Sequence, residues 1–241
     1  MTSVENLVIT PHRNLSLFDY GLTFDKGLGQ IRADGYDRYL TPQEYICALA
    51  EAKKGTRKDL EFLLKRRNNF WLGMALRVHG SALDIALHPE NLSWGHRRYI
   101  IQNMSEDLQC SERRTFNFDN KGNRNILSLE IRNLPEEILE FILGIDYEDI
   151  FHQLGTMTGR DSDMGLFYLP NRDGEFKGQW MPFAVTQTDY FVLGPSYYSD
   201  ALGARQKIPD VTTSPIKIIS ENTVVKNWGH TYDYVPEKDL K

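Results

Sequence analysis

Cysteine is scarce. The chain of 241 residues carries two, Cys47 and Cys110, with no C-x-x-C pair. A disulfide framework and a cysteine-based zinc site are therefore excluded, and a reducing compartment is the natural reading. Long apolar runs are missing as well: no window approaches the about 18 apolar residues that a membrane-spanning helix needs. The opening MTSVENLVITPHRNLSLF has no basic stretch leading into an apolar run, so no secretory signal is expected. The expected location is cytoplasmic (intracellular), or inside a virion or similar assembly. There is no Walker loop, no GxGxxG after a strand, no GxSxG and no catalytic-cysteine context, which removes the commonest nucleotide-binding and hydrolase signatures. Positive charge is not in excess either. Lys and Arg number 28 against 33 Asp and Glu, for a net charge of −5, so the chain is not basic over its whole surface.

What is there is the composition of a folded globule, with 41% hydrophobic and 12% aromatic residues, too apolar for a disordered chain. Charge is unevenly spread. Residues 53–98 hold ten basic side chains (Lys53, Lys54, Arg57, Lys58, Lys65, Arg66, Arg67, Arg77, Arg97, Arg98) against four acidic ones, a local +6 that leaves −11 elsewhere. Such asymmetry points to one region meeting an anionic partner, although a helix with a solvated basic face gives the same pattern.

The pattern of elements predicts an α+β fold, with a helix-rich N-terminal half followed by a strand-rich, antiparallel C-terminal half. NLVIT reads as a strand and DKGLGQIRADG as turns. TPQEYICALAEAKKG is a helix, with Thr41 at the N-cap, Pro42 in the first turn, Glu44 completing a capping box and Gly55 ending it. TRKDLEFLLKRRNN predicts a second helix from Thr56, with Leu60, Leu63 and Leu64 on one face. FWLGMALRVHGSALDIAL has mixed periodicity that assigns it to neither class. RTFNFDNKGNRNILSLEI reads as a hairpin around DNKGN, LPEEILEFILG and DYEDIFHQLG as short helices, and GLFYLP, EFKGQWMPFAV, DYFVLG and SPIKIIS as strands. The change of texture suggests residues 1–109 and 110–241 as two regions, or one single domain without a visible linker.

One stretch carries possible chemistry: RVHGSALDIALHPENLSWGHRRYIIQNM, residues 77–104. Pro89, Glu90, Asn91, Leu92 and Trp94 match a PENLxW run, and Arg97, Ile101, Gln102 and Asn103 suit a basic helix after it. His79 stands twelve residues before Asn91. The stretch resembles the core of the HNH endonucleases of phages and mobile introns. The resemblance implies His79 as general base, Asn91 as metal ligand and Mg²⁺ as cofactor if the element is active. A base activates water, a hard cation held by oxygen donors stabilises the leaving oxyanion, and arginines grip phosphate. The chain departs from the family pattern twice: Val78 stands where a polar residue usually precedes the histidine, and Ala86 and Leu87 occupy the place of the asparagine that orients it. The expectation is therefore a degenerate HNH-like element rather than an active nuclease.

Other constellations are weaker. His88, Glu90 and His96 offer metal-ligating atoms at spacing that suits a strand. Asp161 and Asp163, with Asp146, Glu148, Asp149 and His152, gather acids near basic groups, as solvated loops also do. The aromatics between Phe167 and Tyr198 suit strand cores and cross-strand pairs. Two functions follow. The first is a nucleic-acid-associated protein that touches the phosphates of DNA or RNA through Lys65, Arg66, Arg67, Arg97 and Arg98. The second is a non-catalytic assembly protein, such as a phage or virion structural component, whose C-terminal half packs against a protein partner or a second copy.

Overall fold

The structure is a computed structural model. It describes residues 7–12, 21–64, 69–92, 108–118, 126–149, 152, 165–170, 177–187, 191–196, 199–206, 218–220, 223–225 and 231–233. The chain divides into two compact units, Met1–Gln206 and Lys207–Lys241. In the second, three short strands, Ile218–Ser220, Thr223–Val225 and Thr231–Asp233, form an antiparallel meander.

The first unit is α+β, with its helices concentrated toward the N-terminus and strands dominating thereafter. Strand β1 (Leu7–His12) precedes helix α1 (Phe24–Ala33), strand β2 (Arg38–Tyr39) and helix α2 (Pro42–Lys54). The segment expected to be turns is therefore the helix α1. Its two glycines suggested turns, but Phe24, Leu28 and Ile31 fall on one helical face and are buried, and that burial outweighs the propensity cost of glycine. Gly27 is used: a Cβ there would lie 2.3 Å from the Tyr39 hydroxyl. Helix α2 forms as its capping signals predict. The Thr41 hydroxyl accepts from the Glu44 N–H, the Glu44 carboxylate accepts from the Thr41 N–H, and Gly55 closes the helix at φ 72°. The next segment is a 3₁₀ helix, Lys58–Leu64, rather than the α-helix expected. Leu60 and Leu63 are buried, and Leu64 stands 40% exposed.

The segment of mixed periodicity is a β-hairpin: β3 (Asn69–His79) and β4 (Ala82–Leu87). Both strands lie inside a seven-stranded sheet and are covered on both faces along most of their length, so no alternation marks them. The sheet runs β5-β4-β3-β8-β9-β7-β6, with β5 Glu112–Asn117, β6 Ile126–Glu130, β7 Leu166–Pro170, β8 Met181–Gln187 and β9 Phe191–Pro195. All pairs are antiparallel except β7 with β9. Strands from before and after residue 110 thus share one sheet. β5 and β6 lie at its opposite edges, so the hairpin expected around DNKGN does not form. β5 finds a more apolar partner in β4, and residues 119–123 lie outside the described residues. Helix α3 (Glu136–Leu143) covers the sheet with Ile138, Leu139, Phe141 and Ile142. A second sheet, β1-β10-β2 (β10, Ala201–Gln206), is tied to β3 through Trp71 N–H to the Asp200 carbonyl at 3.0 Å. Among the described residues, no helix is long and apolar enough to cross a membrane.

Candidate functional site

Strand register brings together what the sequence separates. Arg77 on β3 pairs with Asp84 on β4, which pairs with Thr115 on β5. In a pleated sheet these three share one face, as do His79, Ala82, Ala86 and Arg113. Asp84 is flanked along its strand by two alanines, so the longer side chains of the neighbouring strands converge over it.

Asp84 is 1% exposed. Its Oδ2 accepts from Arg77 Nε at 3.0 Å and Nη2 at 2.6 Å, and Oδ1 accepts from the Thr115 hydroxyl at 2.7 Å. His79 Nε2 lies 3.1 Å from Oδ2, and Arg113 Nη2 lies 3.7 Å from it. Burial alone would push this carboxyl up. The hydrogen bonds from Thr115 and Arg77, with the charges of Arg77 and His79, outweigh it and hold Asp84 below the usual carboxylate range. Above the cluster stands Trp180, 1% exposed, with the Arg77 guanidinium 4.9 Å and the Arg113 guanidinium 5.3 Å from its ring centroid. Its indole N–H has no hydrogen-bond partner among the described residues. Arg77 is 14% exposed, while Arg113 and His79 reach solvent at 37% and 46%. The face is thus a buried mid-strand carboxylate met by two guanidiniums and an imidazole, with His79 opposite Ala82 at the turn end and Arg113 opposite Ala86 toward the other end of β4. Gly80, at φ 59°, takes the first turn position, where a two-residue turn requires the left-handed region.

His79 is therefore brought to a charged cluster, with a carboxylate behind its ring. Asn91 is not brought to it. β4 runs away from the turn and ends at Leu87, which pairs with Met74, about 17 Å along the strand from the level of His79 at ~3.4 Å per residue. Beyond that end, the Glu90 N–H donates to the Gln109 carbonyl at 2.9 Å and the Gln109 N–H to Asn91 Oδ1 at 2.8 Å. Asn91 thus clips the chain at residue 109 rather than facing His79. Residues 89–92 form no helix or strand, and their polar groups are engaged with the approach to β5. Lys65, Arg66, Arg67, Arg97 and Arg98 all lie outside the described residues, as do Trp94, His96, Asp161 and Asp163. Among the described residues, no group of three or more His, Cys, Asp or Glu is placed to hold a metal.

His88 forms a second polar node at that far end. It has φ 50°, the one positive φ of a non-glycine among the described residues. Its N–H donates to the Gly73 carbonyl at 2.8 Å, and the Gly73 N–H donates to the Leu40 carbonyl at 2.7 Å. The β3–β8 register shifts between Trp71 and Ala75, which frees Gly73 for this crossing. A Cβ on Gly73 would lie 2.7 Å from His88 Nδ1 and 3.0 Å from the Tyr39 carbonyl oxygen. Nδ1 is buried without a hydrogen-bond partner among the described residues. Burial first, then the charge of Arg38, pushes the imidazole down to about 4, with Glu44 acting the other way. Arg38 and Glu44 form a two-point ion pair at 2.6 and 2.7 Å. Glu90 faces Arg32 at 3.8 Å. His88 and Glu90 are thus turned to different neighbours.

The sequence reading missed Asp84, Thr115, Arg113 and Trp180. Asp84 had a signal: it is the one charge in ALDIAL, and a lone charge in an apolar run needs a partner. Arg113 and Trp180 had none, because their proximity depends on register between distant strands. No protein-family model matches the chain, and neither the curated proteins nor the solved structures contain a match.

Proposed function

We propose that this protein is nucleic-acid-associated and holds phosphate on the turn end of the β3–β4 hairpin, which lies inside the basic segment 53–98. The observation that supports this reading is the cluster itself. Arg113 and His79 both reach solvent and both approach the Asp84 carboxylate, from opposite directions along β4, and the cluster keeps a net positive charge. Phosphate contacts of this kind supply sequence-independent affinity. In this reading Arg77 is a structural cation, since both described donors are spent on Asp84, and Arg113 and His79 meet the ligand. The HNH-like stretch supplies scaffold, and Lys65, Arg66, Arg67, Arg97 and Arg98 extend the basic surface.

The test is binding of the full chain to a fluorescent mixed-sequence duplex and to the matching single strand, titrated across salt with Mg²⁺ present. The expected result is affinity that falls steeply with salt, with a slope shallower by about one contact in Arg113→Ala. The same samples are inspected for cuts, which would give His79 a catalytic role. Absence of binding at low salt retires the reading. It would turn attention to an assembly role, as in a phage or virion component, measured by the mass of complexes in solution.

A further inference from the structure

The hydrogen-bond inventory of the Asp84 cluster separates spent donors from unspent ones. Arg77 places Nε and Nη2 on Asp84. His79 points Nε2 at the same carboxylate, which leaves Nδ1 as its outward nitrogen. Arg113 touches Asp84 only as an ion pair at 3.7 Å, outside hydrogen-bond reach, so its donor fork stays available. The Trp180 indole N–H beside both guanidiniums is buried and unpartnered among the described residues. The charges of Arg77, Arg113 and Asp84 leave one positive charge in the cluster. A His79 ring that donates from Nε2 to Asp84 and from Nδ1 to a ligand is an imidazolium and brings a second positive charge to the cluster.

We infer that this cluster is a discrete site for one terminal phosphomonoester, the group carried by a nucleoside monophosphate or by a phosphorylated strand end. The inference rests on the phosphate reading of the hairpin face and narrows it. A phosphomonoester carries about −1.5 to −2 charges near neutral pH, whereas a bridging diester carries one. Two net positive charges, one guanidinium fork and one imidazolium N–H fit the three terminal oxygens of a single dianion. A fork accepts two oxygens in parallel, and the imidazole takes the third. The Asp84 carboxylate beneath fixes Arg77 and His79 before the ligand arrives, so little is lost in ordering them.

The experiment compares a fluorescent single strand bearing a 5′-phosphate with the same strand bearing a 5′-hydroxyl, alongside titrations of adenosine 5′-monophosphate and inorganic phosphate by calorimetry. The full chain is used throughout. The phosphorylated strand is expected to bind at least about tenfold tighter, a margin equal to about 1.4 kcal/mol. Arg113→Ala and His79→Gln should each reduce that margin, with the phosphorylated strand losing more affinity than the hydroxyl strand. Both side chains are partly solvent-exposed, and circular dichroism checks that each variant is folded. Equal affinity for the two strands overturns the inference while leaving general nucleic-acid binding intact. If neither strand binds, the broader reading fails and the free ligands decide. Adenosine monophosphate or phosphate binding that Arg113→Ala abolishes keeps the site as one for a free anion. No heat from either overturns it.

Discussion

Removing the Asp84 carboxylate tests whether the cluster is held together from beneath. In Asp84→Ala, Arg77 keeps its charge at 14% exposure with no acceptor for two of its donors, and the Thr115 hydroxyl loses its partner. Breaking one side of a buried ion pair costs about 3–5 kcal/mol, and the lost neutral donor adds about 1 kcal/mol. Arg113 and His79 can turn to water, so they add little. The total, about 4–6 kcal/mol, corresponds to a Tm lower by roughly 8–24 °C for a unit of this size. Urea unfolding followed by tryptophan fluorescence measures it, with the slope unchanged if the native state keeps its compactness. Replacing both partners, Arg77→Met with Asp84→Leu, should recover at least about 2 kcal/mol over Asp84→Ala, because no charge is then stranded. An Asp84→Ala protein within 1 kcal/mol of the unaltered chain would refute the argument. A double variant no better than the single one would show that the loss comes from packing rather than from the orphaned guanidinium.

Three further outcomes follow from neighbouring features. His88 is neutral in the fold, with its imidazole pushed from 6.5 down to about 4. The unfolded chain therefore binds the extra proton first, and the associated stability is complete above pH 6.5 and lost as pH falls toward 4, by about 3 kcal/mol. His88→Asn, which tolerates a positive φ, should flatten that part of a stability-versus-pH curve. Gly73→Ala places a methyl against His88 and the Tyr39 carbonyl and should cost about 1–3 kcal/mol in urea unfolding; coupling with His88→Ala would show that the ring is the obstacle. Thr41→Ala removes the α2 N-cap and should cost about 1 kcal/mol, with Thr41→Ser restoring most of it in the same thermal melt.

How much of this could be read from the sequence depended on the range of the interaction. Helix α2 was legible because its cap, first-turn proline and terminal glycine are all local. The class was legible from the drift of helical to strand-like patterns. α1 was not, because its glycines speak locally against a helix that is held by Phe24, Leu28 and Ile31 in a distant core. β3 and β4 were obscured by burial on both faces, which erases alternation. His79 was found, but its partner was sought at Asn91 through a spacing in sequence. The hairpin instead carries those two residues to opposite ends and supplies Asp84 from across the turn. The remaining members of the cluster, Arg113 and Trp180, enter through β5 and the approach to β8, and no local pattern links them to residue 79.

The clip at residues 90, 91 and 109 has an evolutionary consequence. Two backbone-level bonds join the chain's departure from β4 to its return toward β5, and Ser111 adds its N–H to the Leu87 carbonyl at 3.0 Å. The two ends of the intervening segment are therefore fixed to each other beside the sheet. Lengthening such a segment is thermodynamically gentle: each doubling of a flexible connection costs about 0.6 kcal/mol. Variation in length and content between residues 92 and 108 can thus accumulate without moving strand register. Strand register at this edge then depends on the clip rather than on the length of the connection it closes.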